Sequence, residues 1–218
     1  MPGTVAPKRR RNLWTAVAVA LVTSAGVAVW QLWPTDASTI AIPDQVCGRT
    51  LPGKLAADLL PDTGDQYQER VGNGFGAPEN GPTPECILSA GGRRVMVEYN
   101  KFLDTDLHKT RRQAEEKVER VAKNPGSVPL RLGDARGYGA KYVAILSLNC
   151  PMQGYQGTVT ASAFGMSGFP SDSSKAQAFA ELTAETLRLA ARNVYKCTGS
   201  GTSALPGGPP SLGRPRAE

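Results

Sequence analysis

The longest apolar run of the chain lies near its N-terminus, where residues 13–33 contain no charged side chain. A helix of about 20 apolar residues crosses the roughly 30 Å of a bilayer's hydrocarbon core. Trp14 stands at one end of the run and Trp30 and Trp33 at the other, and indole rings favour the level of the lipid headgroups. The pattern predicts one transmembrane helix over residues 13–33.

Four consecutive basic residues at positions 8–11 predict the orientation of this helix. Basic residues stay on the cytoplasmic side of the plasma membrane. Residues 1–12 are therefore expected to form a cytoplasmic tail, and the chain after Trp33 to lie outside. A cleaved signal peptide begins in the same way, but its apolar stretch is usually about 7–15 residues long. We therefore favour an uncleaved anchor.

Alternating apolar and polar residues predict two strand pairs in the rest of the chain. Residues 86–99 form a hairpin around Gly91, since two adjacent glycines suit a two-residue turn. Residues 140–150 and 157–165 form the second pair. Residues 70–84 are rich in glycine and proline and predict a loop.

Apolar residues three and four apart predict helices over residues 51–60, over residues 107–123 and from Ser174 to the last cysteine. Strand pairs separated by helices, without a regular strand-helix-strand order, are typical of the α+β class. The predicted fold is therefore one α+β domain, in which an antiparallel sheet packs with helices.

Two segments of biased composition bound this domain. Residues 34–46 predict an extended linker, because they combine prolines with small polar residues. Residues 198–218 are rich in glycine, proline and serine, and we expect them to be disordered. The domain itself then covers residues 47–197.

The net charge of +6 lies mostly outside the domain. Residues 34–198 carry 19 basic and 18 acidic side chains, so the domain is nearly neutral. A protein that binds nucleic acid must neutralise several phosphates. No nucleic-acid partner is therefore predicted.

The cysteines predict the redox environment of the domain. Cys47, Cys86, Cys150 and Cys197 form no Cys-x-x-Cys pair, and the sequence has one histidine, His108, so neither a metal nor another cofactor is predicted. An even number of cysteines outside the cytoplasm predicts two disulfides, for which three pairings exist. We favour Cys47–Cys86 and Cys150–Cys197. Cys47 precedes an early helix and Cys86 opens a hairpin, whereas Cys150 ends a strand and Cys197 ends the last helix.

The chain contains no recognisable catalytic motif, and we predict a protein that is not an enzyme. Gly165-Met166-Ser167-Gly168 lacks the second glycine of a nucleophile elbow, because Phe169 occupies that position. His108 lies in a charged helix. Five carboxylates are candidates for acid–base groups, and we expect all of them to face water: Glu98, Asp104, Asp106, Glu115 and Glu116.

Aromatic and basic side chains in glycine-rich segments suit a polar ligand. Five such residues are the candidates for a binding groove: Arg136, Tyr138, Lys141, Tyr155 and Phe169. Ordinary core and turn roles are the competing interpretation of the same residues.

Several short motifs occur together over residues 47–195. They are Cys47-Gly48-Arg49-Thr50-Leu51 before a helix, Cys86-Ile87-Leu88 opening a strand, the turn Leu132-Gly133-Asp134-Ala135 and an alanine-rich last helix. This combination resembles a group of actinobacterial secreted proteins and lipoproteins of unknown function. The chain differs from that group because Cys47 lacks a lipid-attachment motif and Leu88 replaces a frequent tryptophan. The resemblance implies a domain that binds a partner or ligand at the cell envelope.

Together these patterns predict a single-pass envelope protein, held in the membrane by residues 13–33. Its disulfide-stabilised outer domain would bind an envelope protein or a polar ligand. The alternative is a small hydrolase acting on envelope glycan or peptide, which needs carboxylates of perturbed pKa around a deep cleft.

Overall fold

A computed structural model of the chain describes residues 39–77, 83–103, 109–152, 154–170, 174–198 and 205–213. The predicted cytoplasmic tail and transmembrane helix lie outside these residues, as do residues 34–38 of the predicted linker and His108. No helix within the described residues is both long and apolar enough to cross a bilayer.

The described residues form ten strands and three helices. The strands are β1 (Gln45–Val46), β2 (Leu51–Pro52), β3 (Gln68–Gly72), β4 (Glu85–Ala90), β5 (Arg93–Leu103), β6 (Val128–Leu132), β7 (Ala135–Ala140), β8 (Val143–Asn149), β9 (Gly157–Ser167) and β10 (Ser211–Leu212). The helices are α1 (Gly53–Ala57), α2 (Lys109–Ala122) and α3 (Ala176–Arg188), and a π-helical segment (Leu189–Val194) continues α3.

Eight of the strands form one antiparallel sheet in the order β10-β6-β7-β8-β9-β5-β4-β3. Strands β1 and β2 form a separate antiparallel pair. An antiparallel sheet packed with helices confirms the predicted α+β class.

The inner face of the sheet packs against α3 and forms the core. Period-two alternation points Val95, Val97 and Tyr99 of β5 to this face, where all three are fully buried. Phe179 and Leu182 of α3 are also fully buried. Burying a Phe or Leu side chain contributes about 1.5–3 kcal/mol, so the apolar stripe of α3 is the main source of its stability.

The outer face of the sheet is partly covered by α2. Ala114 of α2 and Ile145 of β8 are each 1% exposed and lie on the facing surfaces. The exposed residues of α2 over positions 112–122 are all polar, and Arg112 pairs with Glu116 at i,i+4 as its spacing predicts.

Both predicted disulfides are present. Cys47 bonds to Cys86 with their Cα atoms 5.6 Å apart, and Cys150 bonds to Cys197 with their Cα atoms 5.0 Å apart. The pairing predicted from strand and helix ends is therefore confirmed.

A left-handed turn carries the first cysteine. Cys47, Gly48 and Arg49 have φ angles of 57°, 68° and 67°, a region that residues with a Cβ rarely adopt. The carboxylate of Glu69 accepts hydrogen bonds from the N–H groups of Cys47 at 2.9 Å and Gly48 at 3.1 Å. Consecutive N–H groups in such a turn form a concave site for an anion, and here the anion is a side chain of the protein itself.

The Tyr67 hydroxyl donates a third hydrogen bond to Glu69, at 2.8 Å. Burial and this hydrogen bond raise the pKa of Tyr67 above its ordinary value, so the phenol keeps its proton and remains a donor. The motif Cys47-Gly48-Arg49-Thr50 thus has a structural explanation, because Thr50 also donates to the carbonyl of Cys47 at 2.7 Å.

Substituting Glu69 should weaken this turn. Glu69→Ala is expected to lower the free energy of unfolding by about 1 kcal/mol, because the two N–H groups then depend on water in a partly buried turn. Glu69→Gln keeps one acceptor oxygen and should lose less. Urea denaturation of the oxidised protein measures both, and a Glu69→Ala variant as stable as the parent protein would contradict this role.

The domain begins earlier than predicted. The predicted linker over residues 34–46 is wrong from residue 39 onward. Ile40 and Val46 are buried in the core, and Thr39 bridges to Thr63. The sequence pattern did not predict that this segment belongs to the domain, because its few apolar residues are separated by polar ones.

The predicted disorder of residues 198–218 is wrong for residues 205–213. Leu205 is 2% exposed, and β10 pairs with the edge of the sheet at β6. The guanidinium of Arg188, itself buried, donates hydrogen bonds to the carbonyls of Pro206 and Gly208. These long-range contacts order a segment whose composition alone is typical of disorder.

Other boundaries also differ from the predictions. The helix expected over residues 51–60 is limited to α1, because Leu51 and Pro52 pair with β1. Part of the expected loop over residues 70–84 is the edge strand β3. The hairpin of β6 and β7 was not predicted.

Candidate functional site

A concave surface lies beside the β4–β5 hairpin. This hairpin cleft has a volume of about 360 Å³. Nine residues line it: Asp65, Gln66, Gln68, Ser89, Ala90, Gly92, Arg93, Arg94 and Ser167.

Sheet pairing builds the polar wall of the hairpin cleft. Gln68 of β3 lies opposite Ser89 of β4, Ser89 lies opposite Arg94 of β5, and Arg94 lies opposite Ser167 of β9. Paired residues project to the same face of a sheet, and the neighbours Leu88 and Val95 are buried on the inner face. The four polar side chains therefore form one row across the outer face.

A tight turn fixes the end of the cleft. Gly91 and Gly92 have φ angles of 53° and 76°, as a two-residue hairpin turn requires. The N–H of Gly91 donates to the carbonyl of Asp65 at 2.9 Å. A Cβ at Gly91 would come within 2.5 Å of the carbonyl oxygen of Thr63, so only glycine allows the Thr63–Asp65 segment to lie against the turn.

The two arginines of the cleft have different roles. Arg93 donates to the carbonyls of Gly168 and Leu59, both at 3.2 Å, and its guanidinium lies 5.6 Å from the centre of the Phe169 ring. Arg93 therefore stabilises the fold. The guanidinium of Arg94 makes no hydrogen bond or ion pair with any other described residue, and its side chain is exposed.

The chemistry of the cleft is that of a polar binding site. It presents two guanidiniums, of which Arg93 is bonded within the fold, together with two hydroxyls, two amides and the carboxylate of Asp65, and none of its nine lining residues is aromatic. A guanidinium binds a carboxylate or a phosphate through two parallel hydrogen bonds. The arrangement therefore suits a ligand with an anionic group and several hydrogen-bonding groups.

The structure does not bring the five predicted ligand residues together. Arg136 and Tyr138 lie on β7, and the Arg136 guanidinium donates to the carbonyls of Gly133 and Ala135 in the adjacent turn. Lys141 lies in the β7–β8 turn, beside a separate depression of about 190 Å³. Tyr155 lies at the other end of β8 and is 58% exposed.

Phe169, the fifth of these residues, belongs to the edge of the core. Its ring centre lies 5.2 Å from that of Phe179, with the planes tilted by 58°. The contacts of Phe169 in this structure are therefore those of a core residue, which is the competing interpretation given above.

A second polar cluster lies under α2. Glu98 of β5 accepts a hydrogen bond from the Ser162 hydroxyl at 3.0 Å and pairs with the ammonium group of Lys117. The expectation that Glu98 faces water is wrong, because its side chain is only 14% exposed. Nearby on β9, the Thr160 hydroxyl is buried and has no hydrogen-bond partner among the described residues.

Sequence reasoning missed the polar row of the hairpin cleft. Alternation within β4 and β5 places Ser89 and Arg94 on the polar face beside Gly91 and Gly92, so this half of the row could have been predicted.

The chain shows no significant match to any protein family, curated protein or solved structure.

Proposed function

We propose that this protein is a single-pass envelope protein whose outer domain binds a small polar ligand carrying an anionic group. The two disulfides support a location outside the cytoplasm, where such bonds persist. The uncharged run over residues 13–33 and the preceding basic cluster support the anchor and its orientation.

The observation that carries the ligand class is the guanidinium of Arg94 in the hairpin cleft, which has no hydrogen-bond or ion-pair partner among the described residues. Its neighbours across the sheet, Ser89 and Ser167, place a hydroxyl on either side of it. An anionic group at Arg94 would gain charge-assisted hydrogen bonds. An apolar ligand would cover the Arg94 guanidinium without pairing it, which lowers affinity.

Binding of simple anions tests this proposal. The full-length protein in detergent, labelled with ¹⁵N, is titrated with acetate and with inorganic phosphate while the arginine side-chain N–H signals are followed by NMR. The Arg94 signal should shift and saturate with at least one of these anions. Arg94→Gln should weaken binding about tenfold or more, which corresponds to the loss of one charged hydrogen-bonded group.

Lys141→Gln is the matched control, because it removes an exposed cation from a different surface depression. This variant should bind the anion as the parent protein does. Equal losses in the two variants would show that only overall charge matters, and the proposed site would then be wrong.

One observation favours the hydrolase alternative, namely the Ser162 hydroxyl bonded to the carboxylate of Glu98. Two facts favour a structural role instead: Ser162 is 5% exposed, and Lys117 already neutralises Glu98. Turnover of envelope glycan or peptide by the full-length protein, abolished by Ser162→Ala, would establish the hydrolase.

A further inference from the structure

Residues 205–213 form a strap that lies against α3 and pairs with the edge of the sheet at β6. Leu205 and Pro210 are buried, whereas the other seven residues of the strap are exposed. We call the surface beneath the strap, between α3 and β6, the strap groove. The strap is therefore a peptide-like segment that contacts the domain through two side chains and through its backbone.

Two arginines of the groove bind the backbone of the strap. The Nε atom of Arg188 donates to the carbonyl of Pro206 at 2.8 Å, and its Nη2 atom donates to the carbonyls of Pro206 and Gly208. Arg192 donates to the carbonyl of Leu205 at 2.5 Å. All three acceptors are main-chain oxygens, so these contacts select an extended backbone and no particular side chain.

The sheet binds the end of the strap in the same way. Strand β10 of the strap pairs with the edge strand β6, and the N–H of Gly213 donates to the carbonyl of Pro129 at 2.8 Å. Adding a strand to a sheet edge is a recurring mode of peptide binding, in which main-chain hydrogen bonds give affinity and a few side-chain pockets give specificity. In the strap, Leu205 and Pro210 occupy such pockets.

The charges of the strap groove suit an uncharged peptide. Arg188 is 7% exposed, and its Nη1 atom donates to the carboxylate of Glu185 at 2.6 Å. An acidic peptide would bring a second negative charge to a guanidinium that Glu185 already neutralises, and a basic peptide would be repelled by it. The strap itself has no charged side chain.

The groove has room for sequences other than that of the strap. A depression of about 170 Å³ lies between the strap and the helices. Its lining residues are Leu55, Glu181, Glu185, Arg188, Gly207, Gly208, Pro209 and Pro210. A Cβ at Gly207 or Gly208 would have no atom within 4 Å, so a peptide with side chains at both positions also fits.

We propose that the strap groove is a binding site for an extended, uncharged, proline-containing peptide of a partner protein, and that the strap competes for this site. The partner's peptide would place a leucine in the Leu205 pocket and a proline in the Pro210 pocket, and it would pair with β6 in place of β10. Its apparent affinity is lowered by the fraction of molecules whose strap is seated. This site shares no lining residue with the hairpin cleft.

The test uses the full-length protein in detergent and a fluorescein-labelled peptide with the sequence of residues 205–213, whose fluorescence anisotropy reports binding. Leu205→Asp should release the strap, because burying a carboxylate in an apolar pocket is costly. This variant should bind the peptide about tenfold or more tightly than the parent protein, in which the strap occupies the groove.

Leu212→Asp is the matched control, because it adds the same charge at a strap position that is 38% exposed. Its strap should stay seated, and it should bind the peptide as weakly as the parent protein does. A labelled peptide with aspartate in place of the leucine equivalent to Leu205 should not bind the Leu205→Asp variant.

Arg192→Gln tests the main-chain contacts. Arg192 is exposed, so its substitution leaves the core unchanged. Combined with Leu205→Asp, it should weaken peptide binding about fivefold, as expected for the loss of one hydrogen bond from a charged group.

Four results would overturn the proposal. Equal peptide binding by the parent protein and the Leu205→Asp variant would exclude competition by the strap. Absence of binding to a Leu205→Asp variant with the parent's circular dichroism spectrum would exclude the peptide site. Loss of that spectrum would show that the strap is an obligatory part of the fold. A dimer of the parent protein that Leu205→Asp abolishes, seen by analytical ultracentrifugation, would show that a second copy of this chain occupies the groove.

Discussion

The double substitution of Cys150 and Cys197 by alanine is expected to lower the free energy of unfolding by about 4 kcal/mol. The bond between them closes a loop of 47 residues, and the loop entropy removed from the unfolded chain increases with the logarithm of its length. Small domains have a net stability of about 5–15 kcal/mol, so this loss is a large share of the total. Urea unfolding followed by circular dichroism measures it.

The second disulfide provides an internal comparison. It closes a loop of 39 residues, so replacing Cys47 and Cys86 by alanine should cost nearly the same amount. The two loops do not overlap along the chain, and the two losses should therefore add. A Cys150/Cys197 variant that unfolds at the same urea concentration as the parent protein would contradict the entropic argument.

The elements that could be predicted are those whose signal is local. The β4–β5 hairpin has two glycines between alternating residues, and α3 has an apolar stripe that is buried from Phe179 to the end of the helix. The disulfide pairing could also be predicted, because Cys86 lies at the start of the hairpin, Cys150 directly follows β8 and Cys197 follows the helical segment that continues α3.

The strands that the sequence pattern did not predict are defined by pairing with neighbouring strands and not by their own alternation. All but the last of the β3 residues are exposed, so no alternation marks β3 and its pairing with β4 defines it. In β7, a Cβ at Gly137 would come within 1.9 Å of the carbonyl oxygen of Ile145. That glycine permits close approach of two strands, whereas in a sequence glycine usually indicates a turn.

The candidate site shows the same division. Ser89 and Arg94 lie on elements with clear alternation beside a recognised turn. Gln68 and Ser167 join them only through pairing across β3, β4, β5 and β9, and that pairing depends on contacts remote in sequence. The residues predicted from composition alone, such as Tyr155 and Lys141, lie at opposite ends of the sheet.

Phe179→Ala is expected to lower the free energy of unfolding by about 3–5 kcal/mol, because truncating a fully buried aromatic ring leaves a cavity. Phe179 is fully buried in the stripe of α3 that faces the sheet. Alanine preserves the helix itself, so the loss reports on packing. Urea denaturation measures the change, and Tyr155→Ala is the aromatic control. Because Tyr155 is 58% exposed, that control should change stability by no more than about 0.5 kcal/mol.

A double-mutant cycle with Phe179 distinguishes the two roles proposed for Phe169, a core residue or a ligand contact. If it belongs to the core, the Phe169→Ala and Phe179→Ala losses should not add, because the rings lie 5.2 Å apart. Their coupling energy should be about 0.5–1.5 kcal/mol, as for other tilted aromatic pairs. Phe169→Ala also removes the ring beneath the Arg93 guanidinium, which adds to the single loss without contributing to the coupling. Strict additivity of the two losses would remove the energetic basis for a core role and return Phe169 to the list of residues free to contact a ligand.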